Sequence, residues 1–196
     1  MDHHIEKNSL RVKLQQQRKS LSTAQRDRLS YDICQQISTS SIFQSARHIA
    51  FYTPVKGEAN PLFLQKNTNK NFYLPLLSSH KKHHLFFVKI DDKTLYKNNI
   101  YGIPEPLYQT KDIMPIERLD LVIMPLVAMD REGNRLGMGG GYYDRSFAFK
   151  KNLLADSKPI LIGFAYDFQL VDRLNAEEWD VPLNYFATNT EFVCIK

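Results

Sequence analysis

The chain has 196 residues, 43% hydrophobic and 12% aromatic, with 26 basic against 21 acidic side chains and a formal net charge of +5. That length fits one domain (1–196) with a core of its own, and that composition excludes a disordered tail. The charge is too mild and scattered for a polybasic arm, no apolar run approaches a bilayer span, and Cys34 and Cys194 match no metal-ligand spacing. No apolar segment follows the first residues, so no secretory leader is expected, and the chain reads as a soluble cytoplasmic protein with two free thiols.

Leu10 and Leu14, at helical spacing among Lys, Arg and Gln, predict a first helix over 5–19. Leu21-Ser22 breaks the pattern. Ser22 with Gln25 three residues on is a capping-box pattern, and Leu29, Ile33 and Ile37 carry a second helix to about residue 38. The Ser-Thr-Ser-Ser run at 38–41 reads as a loop. Short apolar runs between turn residues then predict strands at 48–52, 72–76 and 85–89, with a short helix at 60–65. Residues 97–118, with Pro104, Pro106 and Pro115, read as an extended surface connection. The run 121–128 is the most apolar strand, 159–165 is another and 192–195 a last one. Helices are expected after Tyr142 and after Phe168. Apolar strands alternating with helices give an α/β class in three layers: a mostly parallel central sheet with helices on both faces.

The most informative stretch is Arg135-Leu136-Gly137-Met138-Gly139-Gly140-Gly141-Tyr142-Tyr143-Asp144-Arg145. Four glycines in five positions leave the backbone free to expose its N–H groups. An apolar strand before it and a helix start after it make a cradle for anionic oxygens, because unpaired amides and the helix dipole both point at the loop. The loop is not a P-loop, since no Lys-Ser/Thr follows. Gly137 and Gly139 fit the first two positions of a dinucleotide fingerprint, but Tyr142 occupies the third. Arg135 supplies a phosphate partner and Asp144 a metal ligand. The stretch reads as a nucleotide site.

The run from Asp120 to Asp130, followed by Gly133-Asn134 and the glycine stretch, closely resembles the signature of the 5-formyltetrahydrofolate cyclo-ligases, also called methenyltetrahydrofolate synthetases. Three further segments resemble that family in the same order: Lys7-x-x-Leu10-Arg11, then Phe51-Tyr52-Thr53 with Gly57-Glu58, then Glu178-Trp179-Asp180-Val181-Pro182. The resemblance implies an enzyme that uses ATP and Mg²⁺ to close 5-formyltetrahydrofolate into 5,10-methenyltetrahydrofolate, with ADP and phosphate released. It implies that residues 135–143 hold the ATP phosphates, with Lys7 and Arg11, four apart on one helix face, closing over the nucleotide. Arg135 and Tyr142 are the implied catalytic residues, and Tyr142 is also placed against the folate. Tyr52, Thr53 and Glu58 are implied for the folate, Glu58 by accepting hydrogen bonds from the pterin ring. Asp144 and Asp180 are implied for Mg²⁺, a hard ion suited to carboxylate oxygens. Two positions depart from the family pattern: Gly140 stands where some relatives carry Lys, which makes Arg145 a further candidate for meeting phosphate charge, and Trp179 stands where relatives often carry His.

Other readings remain on the residues alone. An isomerase of sugar phosphates or an acyl-CoA transferase on a related scaffold would keep the phosphate loop without ATP hydrolysis. A nucleic-acid-binding module would use Arg18, Lys19, Lys81 and Lys82, but the basic residues form no long stripe, so no nucleic-acid partner is expected. His80, His83 and His84 sit among lysines that would repel a cation and read as a solvated loop. A monomer with no membrane partner is expected.

Overall fold

The computed structural model describes residues 3–66, 68–100, 102–154 and 156–195. The chain opens with α1 (His3–Ser20) and α2 (Thr23–Ser38). The capping box between them forms in both directions: Gln25 N–H donates to Ser22 Oγ at 3.2 Å, and Ser22 N–H donates to Gln25 Oε1 at 2.8 Å. A further helix, α3 (Ser41–Ser45), starts inside the serine run that reads as a loop. The hydroxyl of Ser40 accepts from Phe43 N–H, so the same small polar residues that favour a turn cap a helix instead.

The strands follow as β1 (His48–Ala50), β2 (Asn71–Leu77), β3 (Leu85–Ile90), β4 (Tyr96–Asn98), β5 (Pro104–Pro106), β6 (Ile113–Met114), β7 (Leu121–Met124), β8 (Ala128–Met129) and β9 (Arg135–Leu136). After α4 (Tyr142–Ser146) come β10 (Ile160–Phe164), β11 (Tyr185–Ala187) and β12 (Phe192–Cys194). Eight strands form one sheet in the order β12-β11-β10-β7-β1-β2-β3-β6. Its centre, from β2 to β11, is parallel, and β3, β6 and β12 are antiparallel additions at the edges. Strand alternation divides the core. Leu121 and Ile123 of β7 face the side covered by α2 and α3, while Val122 and Met124 face the side covered by Phe147 after α4. All four are buried, each contributing about 1.5–3 kcal/mol by leaving water. The fold is the expected three-layer α/β arrangement.

Besides α3, four elements differ from expectation. The apolar run at 121–128 is two strands, because Pro125 lacks the N–H that would continue the ladder, and β8 leaves to pair with β9. The segment 97–118 is not simply extended: β4 and β5 form a two-stranded ribbon and β6 joins the main sheet. No α-helix follows Phe168, since the backbone there bonds sideways to the β8–β9 hairpin, Val171 N–H to Met129 O at 2.8 Å and Leu174 N–H to Asp130 Oδ2 at 2.8 Å. β11 is a further strand, where the residue pattern predicts none.

The topology places one crevice. From β1 the chain turns to β2 on one side, and it returns to β7 on the other. The connections leaving the carboxyl ends of β1 and β7 therefore diverge, which is where open α/β sheets bind ligands. α1 packs over this end of the sheet rather than along it. Leu14 is buried with Val127, Ala128, Leu136 and Leu174, so the helix is seated on the β8–β9 hairpin.

Candidate functional site

The hairpin is built on Asp130. Its carboxylate is fully buried and accepts from Glu132 N–H, Asn134 N–H, Asn134 Nδ2 and Leu174 N–H, at 2.8–3.0 Å. That closes the turn at Gly133-Asn134 and delivers Arg135 and the glycine loop to the carboxyl end of the sheet. The Arg135 side chain is 5% exposed. Its Nη2 lies 2.6 Å from Asp144 Oδ1, and its Nε is buried without a partner among the described residues.

Within the loop three of the five carbonyls are occupied, whereas, among the described residues, the donors are not. Arg11 Nε donates to Gly137 O at 2.9 Å, Arg145 Nη1 donates to Gly140 O at 2.9 Å, and Arg145 N–H donates to Gly141 O at 3.1 Å. None of the amides at 137–141 has a hydrogen-bond partner among the described residues. An anion requires that polarity. Gly141 has φ +63°, a left-handed conformation that turns the chain into α4. α4 is only one turn long, so the helix dipole expected from the sequence adds little and the loop amides carry the site.

The two tyrosines after the loop diverge. Tyr143 is turned inward, stacked 6.2 Å from the Phe147 ring, with its hydroxyl buried. Tyr142 stays half-buried beside the His83 ring, 5.3 Å away. His83 is thus not the solvated loop residue its lysine neighbours suggest; it has φ +57° and brings the tip of the β2–β3 hairpin to Tyr142. A Cβ at Gly140 would lie 2.8 Å from the Tyr142 ring, so any side chain at this position would press on Tyr142.

A second connection, after β1, carries Tyr52, Thr53 and Glu58. Gly57, at φ +79°, presses this loop on α1; a Cβ there would lie 3.0 Å from Arg18 O. Glu58 is nearly buried, its Oε2 accepting from Val55 N–H at 3.0 Å and its Oε1 3.7 Å from Arg18 Nη1. Burial pushes the Glu58 carboxyl above its ordinary range, against the Val55 N–H and the Arg18 guanidinium, which pull it down. Tyr52 is 4% exposed, and its hydroxyl donates to Ala59 O at 2.8 Å. Burial, and then the Glu58 charge, push its phenol well up. It closes the loop from inside, and Thr53 is half-buried beside it.

The third component is the turn at 177–181. Lys7 Nζ pairs with Glu177 Oε1 at 2.7 Å, Glu177 N–H donates to Asp180 Oδ2 at 2.9 Å, and Val181 N–H donates to Asp144 Oδ1 at 3.3 Å. This turn joins α1 to α4. One face of α1, at Lys7, Arg11, Leu14 and Arg18, thus touches all three loops.

The profile of the 5-formyltetrahydrofolate cyclo-ligase family matches residues 3–189. The chain belongs to this family. The 5-formyltetrahydrofolate cyclo-ligase of Haemophilus influenzae is 36% identical over 180 residues, covering 90% of this chain and 94% of the relative. The one from Escherichia coli K12 is 34% identical over 178 residues, covering 89% and 96%. Among solved structures, the 5,10-methenyltetrahydrofolate synthetase of Aquifex aeolicus is similar with a TM-score of 0.79 at 31% identity, covering 97% of this chain and 93% of that one. That of Mycoplasma pneumoniae has a TM-score of 0.70 at 27% identity, covering 96% and 99%. Membership makes the protein an enzyme of the ligase class.

The fold brings the sequence-selected residues into one region: Lys7 and Arg11 on α1, the 135–145 stretch, and Asp180, whose chain neighbour Val181 donates its N–H to Asp144. The 52–58 loop joins them through α1. Sequence reasoning missed Glu177, the partner of Lys7. It also set Arg18 among surface cations available to nucleic acid, whereas Arg18 is 1% exposed on the inner face of α1, with Nη1 donating to Leu126 O at 3.2 Å. The signal was present in the 4-3-4 spacing of Lys7, Arg11, Leu14 and Arg18, which puts all four on one helix face. Among the described residues no three His, Cys, Asp or Glu side chains gather as a metal cluster, and no helix is long and apolar enough to cross a membrane. Cys34 and Cys194 are free thiols.

Proposed function

We propose that this protein catalyses the ATP- and Mg²⁺-dependent cyclisation of 5-formyltetrahydrofolate to 5,10-methenyltetrahydrofolate, releasing ADP and phosphate. The observation that carries the reading is the polarity of the glycine loop. Its carbonyls at Gly137, Gly140 and Gly141 are capped by Arg11 and Arg145, while its amides are left for an anion. In this reading residues 135–143 hold the triphosphate, including Leu136 and Met138 beside the glycines, with Lys7 and Arg11 closing from α1. Thr53 and Glu58 hold the pterin, Tyr52 shapes that pocket, and Tyr142 stacks on the folate.

Phosphoryl transfer asks a protein mainly for position and charge. The formyl oxygen of the substrate takes the γ-phosphoryl group as its bond to ADP breaks. The neighbouring folate nitrogen then attacks the activated carbon and gives up its proton, and the carbon–oxygen bond breaks to release phosphate. Arg135 neutralises charge on the transferring group, and the loop amides fix its direction. The donor set suits Mg²⁺, which takes one or two carboxylates plus phosphate oxygens. Asp144 and Asp180 each have one carboxylate oxygen engaged by a backbone N–H, and Arg135 shares the Asp144 oxygen. When bound there, Mg²⁺ supplies charge neutralisation for the phosphates. The protein acts as a monomer of one domain in the cytoplasm.

Purified protein given Mg·ATP and 5-formyltetrahydrofolate should develop the methenyl absorbance and release phosphate in equal amounts. Folded protein with no ATP-dependent absorbance change defeats the proposal. Asp144→Asn keeps an acceptor for Val181 N–H but removes the charge. It should lower turnover and weaken the apparent Mg²⁺ affinity by roughly tenfold or more. A Mg²⁺ titration of the variant that overlays the wild type removes Asp144 from the metal site.

A further inference from the structure

Arg18 is the buried charge that the site as described does not use. Among the described residues its guanidinium makes one hydrogen bond, Nη1 to Leu126 O at 3.2 Å, and one ion pair, Nη1 to Glu58 Oε1 at 3.7 Å. Nε and Nη2 are buried with no partner among the described residues. A buried cation kept for stability alone is expected to have its donors satisfied, because each unsatisfied N–H costs free energy and an apolar residue of like volume does as well or better. Arg18 instead spans three elements: α1, which carries Lys7 and Arg11; the connection after β7; and the Glu58 loop, which Gly57 presses on the helix at Arg18 itself. With few hydrogen bonds to quench it, the Arg18 charge falls on Glu58.

Building on the functional reading above, we infer that Arg18 is a positioning residue for the reduced folate: it holds the Glu58 carboxylate ionised and aimed at the pterin, from the same helix that carries the nucleotide-binding Lys7 and Arg11. Glu58 is reached by Arg18 from α1, by Tyr143 from α4, by Tyr52 from the end of β1 and by Lys56 from its own loop. Arg26 and Asp27 of α2 line the cavity of about 250 Å³ on its other side. Among these groups Arg18 is the buried cation paired with Glu58. Without it the carboxyl takes up a proton at higher pH, and a neutral Glu58 is a poor acceptor for pterin N–H groups.

The test is steady-state kinetics on Arg18→Gln and Arg18→Lys, with melting curves run on both. Gln keeps a donor for Leu126 O and loses the charge. Lys keeps the charge and loses the fork. Arg18→Gln should raise KM for 5-formyltetrahydrofolate by about tenfold, the value of one hydrogen-bonded charge, and leave KM for ATP within about twofold. Its acid limb of kcat/KM for the folate should move to higher pH. Arg18→Lys should raise the folate KM while keeping the acid limb near that of the wild type, and it stands as the test if the Gln variant does not fold. A variant with wild-type folate KM and acid limb overturns the inference. So does a parallel rise of both KM values with a fall in melting temperature, which would make Arg18 structural. Wild-type turnover in the same series tests the functional reading separately: its absence overturns that reading, and its presence with unaltered variants overturns only the role of Arg18.

Discussion

Arg135→Ala is expected to lower kcat/KM by about a thousandfold, the scale at which a guanidinium on a transferring phosphoryl group acts. Its setting supports a large effect. The side chain is 5% exposed, it is fixed by Asp144 at 2.6 Å, and its Nε is held in the interior without a partner among the described residues. Such a group is oriented before substrate arrives, so little reorganisation is needed as charge develops. Arg135→Lys should recover only part of the loss, since a point charge cannot hold Asp144 and a phosphate oxygen with the same fork. The measurement is turnover of 5-formyltetrahydrofolate at saturating Mg·ATP, with a melting curve to confirm the fold. An Ala variant within tenfold of wild type would remove Arg135 from the chemistry.

Asp130→Ala should destabilise the protein by about 3–5 kcal/mol, because three backbone or side-chain N–H groups on the hairpin and that of Leu174 lose their acceptor inside the core. For a chain of this size that is a fall of Tm on the order of 10 °C. Asp130→Asn should cost less, since its amide oxygen still accepts for part of the set. Activity should drop further than stability alone explains, because the hairpin that Asp130 closes delivers Arg135. Thermal or urea unfolding with parallel kinetics checks both parts. An Ala variant with wild-type Tm would mean that the turn closes without the carboxylate.

Much of this was legible in the chain. The capping box at Ser22 and Gln25 marks the break between α1 and α2 because it is local, needing only residues three apart. The parallel core follows from apolar runs such as 121–124, whose side chains are buried on both faces of the sheet. The glycine stretch stands out because few other residues tolerate φ values such as that of Gly141. The misreadings share a cause. The serine run at 38–41 caps a helix, and the segment after Phe168 runs sideways along a hairpin, because in each case a distant or competing hydrogen bond outweighed local preference.

What the sequence by itself determined was the inventory: the helical face with Lys7 and Arg11, the amide-rich loop, the carboxylates, and the family to which they belong. Only the tertiary structure decided which of these groups are neutralised and which are left available. Lys7 is paired with Glu177 across 170 positions, the loop carbonyls are capped by arginines from two helices, and Arg18 leaves the surface to stand against Glu58. Spacing along a chain fixes which side chains share a face. It does not fix what the opposite wall offers, and it is the opposite wall that sets the burial and charge of each group.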